Sequence, residues 1–249
     1  MKKQNIQAEI DFFDKIIEYD DSFSEREYKI IFDKIAPYLN GYMLEAGCSS
    51  GSFGVRTKQL RPNLYIVGVD INQKFINLAQ ERNVYDKLLC ANLEDRILFN
   101  KSEFNTVFCP FVLHHLPDLK NTIDNLDFWL KPGGYLIIVD PNGSNLILRM
   151  SYLLRKILFK FINNVKNYAS INESNKSVAS FKKCLKNYEI CFIETFNRDS
   201  NIKLNSISFF LIYLLSFIRK VLLMAYRAIP FLKYSGSDLI IVARKKPTE

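Results

Sequence analysis

The stretch LEAGCSSGSFG, residues 44–54, and Asp70, nineteen residues beyond Gly51, together carry the residue types of a nucleoside site. Glycines at 47, 51 and 54 let a loop turn tightly and let a ligand approach the backbone without meeting a Cβ. The loop amides and the N-terminus of a helix over residues 52–60 offer hydrogen-bond donors to that ligand. Asp70 ends the apolar run YIVGVD, and a carboxylate at a strand tip can accept from two ribose hydroxyls. The order Gly47, three residues, Gly51, two residues, Gly54 differs from the dinucleotide fingerprint G-x-G-x-x-G, which argues against NAD.

These residues need a strand, a glycine loop, a helix and a second strand to place them. Residues 42–45 and 65–69 are short β-rich apolar runs, and residues 52–60 between them suit a helix, so the unit is complete. In front of it, residues 9–39 read as one or two helices. Phe12, Phe13, Ile16, Ile17 and Tyr19 form one apolar stripe, and Tyr28, Ile31, Phe32 and Ile35 form a second.

The loop resembles the first motif of class I S-adenosylmethionine-dependent methyltransferases, with Glu45 as the acid of that motif and Ser49 where the family most often has its middle glycine. LLCANLED, 88–95, resembles the third cofactor segment, with Asn92 at a position that commonly carries an Asp facing the adenine amino group. An amide oxygen can also accept that bond. FNTVFCPFVLHHLPD, 104–118, resembles the fourth strand and its loop, with Asn105 replacing the usual Asp and Leu113, His114 and His115 matching a Leu-His-His run. LKPGGYLIIVDPNG, 130–143, resembles the turn and fifth strand of small-molecule, methyltransferase type 11-like members.

The resemblance implies S-adenosylmethionine as cofactor, bound by Tyr19, Glu45, Gly47, Cys48, Ser49, Gly51, Asp70, Ile71, Asn92, Leu93 and Cys109. It also implies a fold: an α/β, Rossmann-like, seven-stranded, mostly parallel sheet with an antiparallel last strand, a helical N-terminal lid and a helical substrate cap. In that scheme residues 1–249 form a single domain. Residues 1–40 are the lid, in which Tyr19 or Phe23 could reach the cofactor, and 41–143 the cofactor core. Residues 144–176 and 196–237 are cap insertions, and 238–246 the last strand. A helix near residues 180–185 and a sixth strand over 189–195 complete the sheet.

Charge is divided unevenly. Residues 1–140 hold 16 Lys and Arg against 20 Asp and Glu, whereas residues 141–249 hold 18 against 6, so the second half faces something anionic. Two stretches there, 144–164 and 207–232, are both apolar and basic. The second has an uncharged run of 12 residues, short of the roughly 20 that a spanning helix needs. It fits an interfacial helix or a hydrophobic cap over a pocket. Five scattered cysteines without metal spacing suggest reduced thiols in a cytoplasmic protein, and the N-terminus shows no secretory signal. Peripheral contact with the inner membrane surface stays open.

The chemistry implied by the resemblance is displacement of a sulfonium methyl by a nucleophile of the acceptor, which needs alignment more than activation. A hydroxyl acceptor must also lose a proton. His114 and His115, the chain's only histidines, follow the fourth strand and are the base candidates, with His115 preferred. Amino-group methyltransferases acting on adenine or glutamine carry an Asn or Asp, Pro, Pro, aromatic motif after that strand. Cys109, Pro110 and Phe111 stand there instead, which argues against nucleic-acid base methylation. No Cys-rich or His-carboxylate cluster suggests a catalytic metal. The expected protein is a methyltransferase acting on a small or lipid-linked, anionic acceptor, at oxygen. The alternatives are a catalytically silent cofactor binder with a membrane- or partner-binding basic surface, and an RNA methyltransferase.

Overall fold

The computed structural model describes residues 2–16, 23–145, 174–198 and 236–247. Tyr19, nearly all of the segments 144–176 and 196–237, and the whole of 207–232 therefore lie outside the described residues. The described chain runs α1 (Lys2–Ile16), α2 (Glu25–Ile35), β1 (Tyr42–Ala46), α3 (Ser52–Leu60), β2 (Tyr65–Asp70), α4 (Gln73–Glu81) and β3 (Lys87–Cys90). It continues through β4 (Phe104–Pro110), α5 (Leu119–Trp129), β5 (Leu130–Pro141), α6 (Val178–Cys184), β6 (Tyr188–Phe196) and β7 (Asp238–Lys245).

The strands form one seven-stranded sheet in the order β3-β2-β1-β4-β5-β7-β6. β1 pairs in parallel with β2 and β4, β2 with β3, and β4 with β5, while β7 runs antiparallel to β5 and β6. The expected mostly parallel sheet with its antiparallel last strand is the observed one. Strand order reverses between β1 and β4, and in such sheets the crevice beyond the carboxyl ends of the two diverging strands is where ligands bind.

Helices cover both faces, which is why the central strands are apolar without alternation. Met43, Ile66, Phe108, Ile137 and Val139 pack under α2 and α3 through Ile31, Phe32, Ile35 and Phe53. Leu44, Val67, Val107, Leu136 and Ile138 pack on the other face against Ile123, Leu126 and Trp129 of α5 and Phe181 of α6. α2 starts at a capping box. The Ser24 amide donates to Glu27 Oε2 at 2.6 Å, and the Glu27 amide donates to Ser24 Oγ.

Tyr85, in the turn before β3, occupies space that three glycines vacate. A Cβ built on Gly54 would overlap its hydroxyl, one on Gly68 would fall 2.9 Å from its ring, and one on Gly51 would come to 3.0 Å. Gly51 and Gly54 thus admit a side chain of the protein itself beneath the loop, where the sequence suggested room for a ligand. Replacing Gly54 by Ala should gain about 1 kcal/mol of helix propensity but lose roughly 1–3 kcal/mol to overpacking. Gly54→Ala is therefore expected to lower the urea midpoint. Adding Tyr85→Leu should recover part of that loss, whereas strictly additive effects would show that the two positions do not share the space.

Candidate functional site

The loop after β1 adopts left-handed backbone at alternate residues, with φ of 75° at Gly47, 47° at Ser49 and 90° at Gly51. Glycine takes this region without strain, and Ser49 is held there from outside. Its amide donates to Asp70 Oδ2 at 3.0 Å, and the Asn72 amide donates to Asp70 Oδ1 at 2.9 Å. The Gly47 and Cys48 amides donate to the Val69 carbonyl, and the Gly51 amide donates to the Cys48 carbonyl. Four loop amides expected to be ligand donors are thus engaged by the chain itself, and three of them, at Gly47, Cys48 and Ser49, stitch the end of β1 to the end of β2.

Asp70 is half-buried at the rim of the sheet. An ionised carboxylate accepts up to about four hydrogen bonds, so the two amides do not exhaust it. Ile71 follows it, and the Ile71 carbonyl accepts from the Cys90 thiol at 3.4 Å. Asn92 is half-buried, with its side-chain oxygen turned to the Glu94 amide at 3.0 Å. Three of the expected contacts point elsewhere. The side chains of Leu93 and Cys109 lie in the core cluster with residues of α5 and the sheet, and that of Cys48 is buried. Burial pushes the Cys109 thiol well up, so it is a neutral packing group.

Glu45 is fully buried, and neither carboxyl oxygen has a hydrogen-bond partner among the described residues. Burial raises its pKa to about 8, only partly offset by the neighbouring Tyr85 hydroxyl. Burying an ionised acid is costly unless a cationic group lies against it.

Across the reversal point, β4 leads into Phe111, also in the left-handed region at φ 51°, and then into a short 3-10 turn, Leu113–His115. The two histidines stack with ring centroids 3.9 Å apart, and each has its own carboxylate. His114 is buried, its Nδ1 2.7 Å from Oδ1 of Asp140 at the end of β5. Burial first, then repulsion from Arg198, pushes the His114 pKa far down, and burial pushes Asp140 up. His115 is less enclosed, and its Nδ1 lies 3.0 Å from Oε1 of Glu9 on α1. Arg198 ion-pairs with Asp238 at 2.6 Å and lies over the rings of Phe111 and Phe23, 4.6 and 4.9 Å from their centroids.

Helix α1 crosses between these two halves. Asp14 accepts from Asn72 Nδ2 at 3.0 Å and from Lys74 Nζ at 2.6 Å beside Asp70. Phe13 packs edge-on against Phe75 and against His115. In the segment expected to form the N-terminal lid, the contacts of α1 are made by Glu9, Phe13 and Asp14. The apolar stripe signalled Phe13; nothing in the pattern marked Glu9 or Asp14. Phe23, expected near the cofactor, packs against Phe111 and Phe53.

An open α/β sheet with a glycine loop after β1, an acid after β2 and a lid over the reversal point defines the class I methyltransferase architecture. Residues 44–136 match the methyltransferase domain family, and this segment is a domain of the S-adenosylmethionine-dependent type. The chain is 30% identical over 129 residues to the tRNA U34 carboxymethyltransferase of Nautilia profundicola, covering 47% of this chain and 42% of that protein. It is 25% identical over 124 residues to the ubiquinone biosynthesis O-methyltransferase of Colwellia psychrerythraea, covering 48% of this chain and 50% of that protein. The chain thus spans about half the length of the curated relatives it matches. Its fold is that of the methyltransferase solved in complex with the Haloferax volcanii Trm112 methyltransferase activator. The TM-score is 0.68 at 15% identity, over 97% of this chain and 99% of that one.

Glu45 supplies a pH signature. Its folded pKa of about 8 stands above its ordinary value of 4.5, so its contribution to stability is complete below pH 4.5 and is lost as pH rises through 8. The urea midpoint of the ligand-free protein should show this decline, and Glu45→Gln should flatten it. An unchanged slope in Glu45→Gln would show that the carboxyl ionises freely in the fold.

Proposed function

We propose that the protein is an S-adenosylmethionine-dependent methyltransferase that methylates a hydroxyl oxygen of a small or lipid-linked acceptor, with His115 as the base. The observation that carries this reading is the convergence of the Asp70-pinned loop and the two histidine-carboxylate pairs on one edge of the sheet, under one lid helix.

S-adenosylmethionine, when bound, supplies a methyl group on a sulfonium sulfur, already an excellent leaving group. The chain then has to bind, align and take a proton. Asp70 holds the ribose hydroxyls, and the buried Glu45 carboxyl compensates the ammonium. The lid excludes water. His115 takes the acceptor's proton. His114 is the weaker candidate, because burial makes it a poor proton acceptor and its Nδ1 is already bonded to Asp140. The excess of basic, apolar sequence over residues 141–249 favours an anionic or membrane-borne acceptor. The names of the ubiquinone biosynthesis O-methyltransferase and of the 27-O-demethylrifamycin SV methyltransferase of Amycolatopsis mediterranei support oxygen. An RNA acceptor is the second reading, favoured by the 30% identity to a tRNA-modifying relative.

Transfer of labelled methyl from S-adenosylmethionine to a panel of catechols and hydroxylated quinols, with bulk tRNA alongside, separates these readings. Label in the hydroxyl acceptors is expected, whereas label in tRNA alone would establish the RNA reading. On a labelled acceptor, His115→Ala should lower the rate about 10²-fold with cofactor affinity nearly intact. A wild-type rate in that variant would remove the base assignment.

A further inference from the structure

We infer that Arg198, just beyond β6, recognises a carboxylate or phosphate group of the methyl acceptor, with Lys176 adding a second positive charge. The inference deepens the proposed function and rests on its placement of the acceptor at the histidine end of the site. β5 and β6 both run antiparallel to β7, so their carboxyl ends share one rim with that of β4. Arg198 stands two residues past the end of β6. Its guanidinium lies over the ring of Phe111, in the loop after β4, and over that of Phe23, and the two rings are 4.7 Å apart. The side chain thus reaches back from the edge strand to the loop beside the point where strand order reverses.

The guanidinium is held in place from one edge. Arg198 Nη2 donates to Asp238 Oδ1 at 2.6 Å and Nε to Oδ2 at 3.4 Å, and Ser237 Oγ, which accepts from the Arg198 amide, donates to Oδ2 at 2.6 Å. None of the hydrogen bonds of Arg198 among the described residues uses Nη1. A guanidinium carries five N–H donors in a planar fork, so a carboxylate on one edge leaves the other for a second anion. The Arg198 side chain is 32% exposed and that of Asp238 3%, so a ligand at the rim meets the cation and not its partner. Lys176 is tied to the same corner. The Ser174 amide donates to the His114 carbonyl, and the Gly143 amide to the Lys176 carbonyl, both at 2.9 Å. Both cations act on the His114 ring and disfavour its charged form. Among the acids here, Asp238 is paired with Arg198, Glu9 lies against His115, Asp118 faces Lys176, and burial pushes Asp140 toward its uncharged form. Charge-assisted bonds to an open guanidinium edge favour an anionic group over a neutral one.

Benzoate and phenyl phosphate, with benzamide as the neutral counterpart, test this by NMR titration of the ligand-free protein at low salt. Binding is followed on the ring signals of Phe111 and, in the wild type, on the Arg198 Nε–H signal. Saturable shifts are expected with at least one of the two anions, and the tighter one identifies the group as carboxylate or phosphate. Benzamide should bind about 10-fold more weakly than benzoate, and Arg198→Gln should weaken the better anion by about 10-fold or more. Arg198→Gln leaves the buried Asp238 without its counter-ion, which can unfold the corner. The double variant Arg198→Gln/Asp238→Asn removes both charges and keeps the measurement decisive, with the same loss of anion affinity expected. Arg198→Lys keeps the charge without the fork and should fall between.

No saturable shift at Phe111 with either anion up to about 10 mM, where even millimolar binding would show, would overturn the inference. So would unchanged anion affinity in the folded double variant. Neither cofactor nor methyl transfer enters this titration, so the labelled-methyl assay judges the proposed function separately. Transfer to a hydroxyl acceptor, together with anion binding that ignores Arg198, would reject Arg198 and leave the proposed function standing.

Discussion

The Asp70 carboxylate is the constraint on which the site depends. It receives the Ser49 amide from one strand end and the Asn72 amide from its own, and so holds the loop after β1 in a left-handed shape that its non-glycine residue would otherwise leave. Hydrogen bonds between a charged acceptor and amides are worth about 1.5–3 kcal/mol each, enough to offset the cost of the left-handed serine. The chain of contacts extends outward. Asn72, placed by Asp70, holds Asp14 of α1, and α1 in turn carries Glu9 and Phe13 to His115. One acid at a strand tip thereby connects the loop after β1, helix α1 and the turn that carries His115.

The acceptor side is organised by burial of charge. Glu9, Asp140 and Asp238 are all sheltered, and His114, His115 and Arg198 face them. Burying an unpaired charge is costly, so each group is paired or gives up its charge. Arg198 and Asp238 remain an ion pair with the cation against two aromatic rings, whereas burial pushes His114 down and Asp140 up, each toward its uncharged form. His115 is left as the histidine with the more open ring, which is what a proton acceptor for an incoming substrate requires. The two adjacent histidines thus differ in depth, with side chains 9% and 18% exposed.

The strands and the loop were legible in the sequence because their signals are local. Apolar runs marked β1, β2, β4 and β5, a glycine pattern marked the turn, and an acid at the end of YIVGVD marked the rim. The helix over residues 52–60 was found at its observed bounds. What stayed hidden depends on residues far apart in the chain. The glycines at 51 and 54 looked like room for a ligand, yet the space that they and Gly68 vacate is filled by Tyr85, whose position no periodicity encodes. The partners of the histidines, Glu9 and Asp140, come from the lid and from β5, and only the closed sheet brings them to one place. Cys109 and Leu93 sit within matched motifs, but strand alternation turns the Cys109 side chain into the core, and that of Leu93, in the turn after β3, is buried in the same cluster.

The central claim, that the Asp70-pinned loop is the S-adenosylmethionine site, is tested most directly by calorimetric titration of S-adenosylhomocysteine into the wild type and into folded Asp70→Ala. The account predicts binding to the wild type and a loss of about 1–3 kcal/mol in the variant, since the carboxylate both receives the ribose hydroxyls and shapes the loop. Equal affinity in the two proteins, or no binding to the wild type, would contradict it.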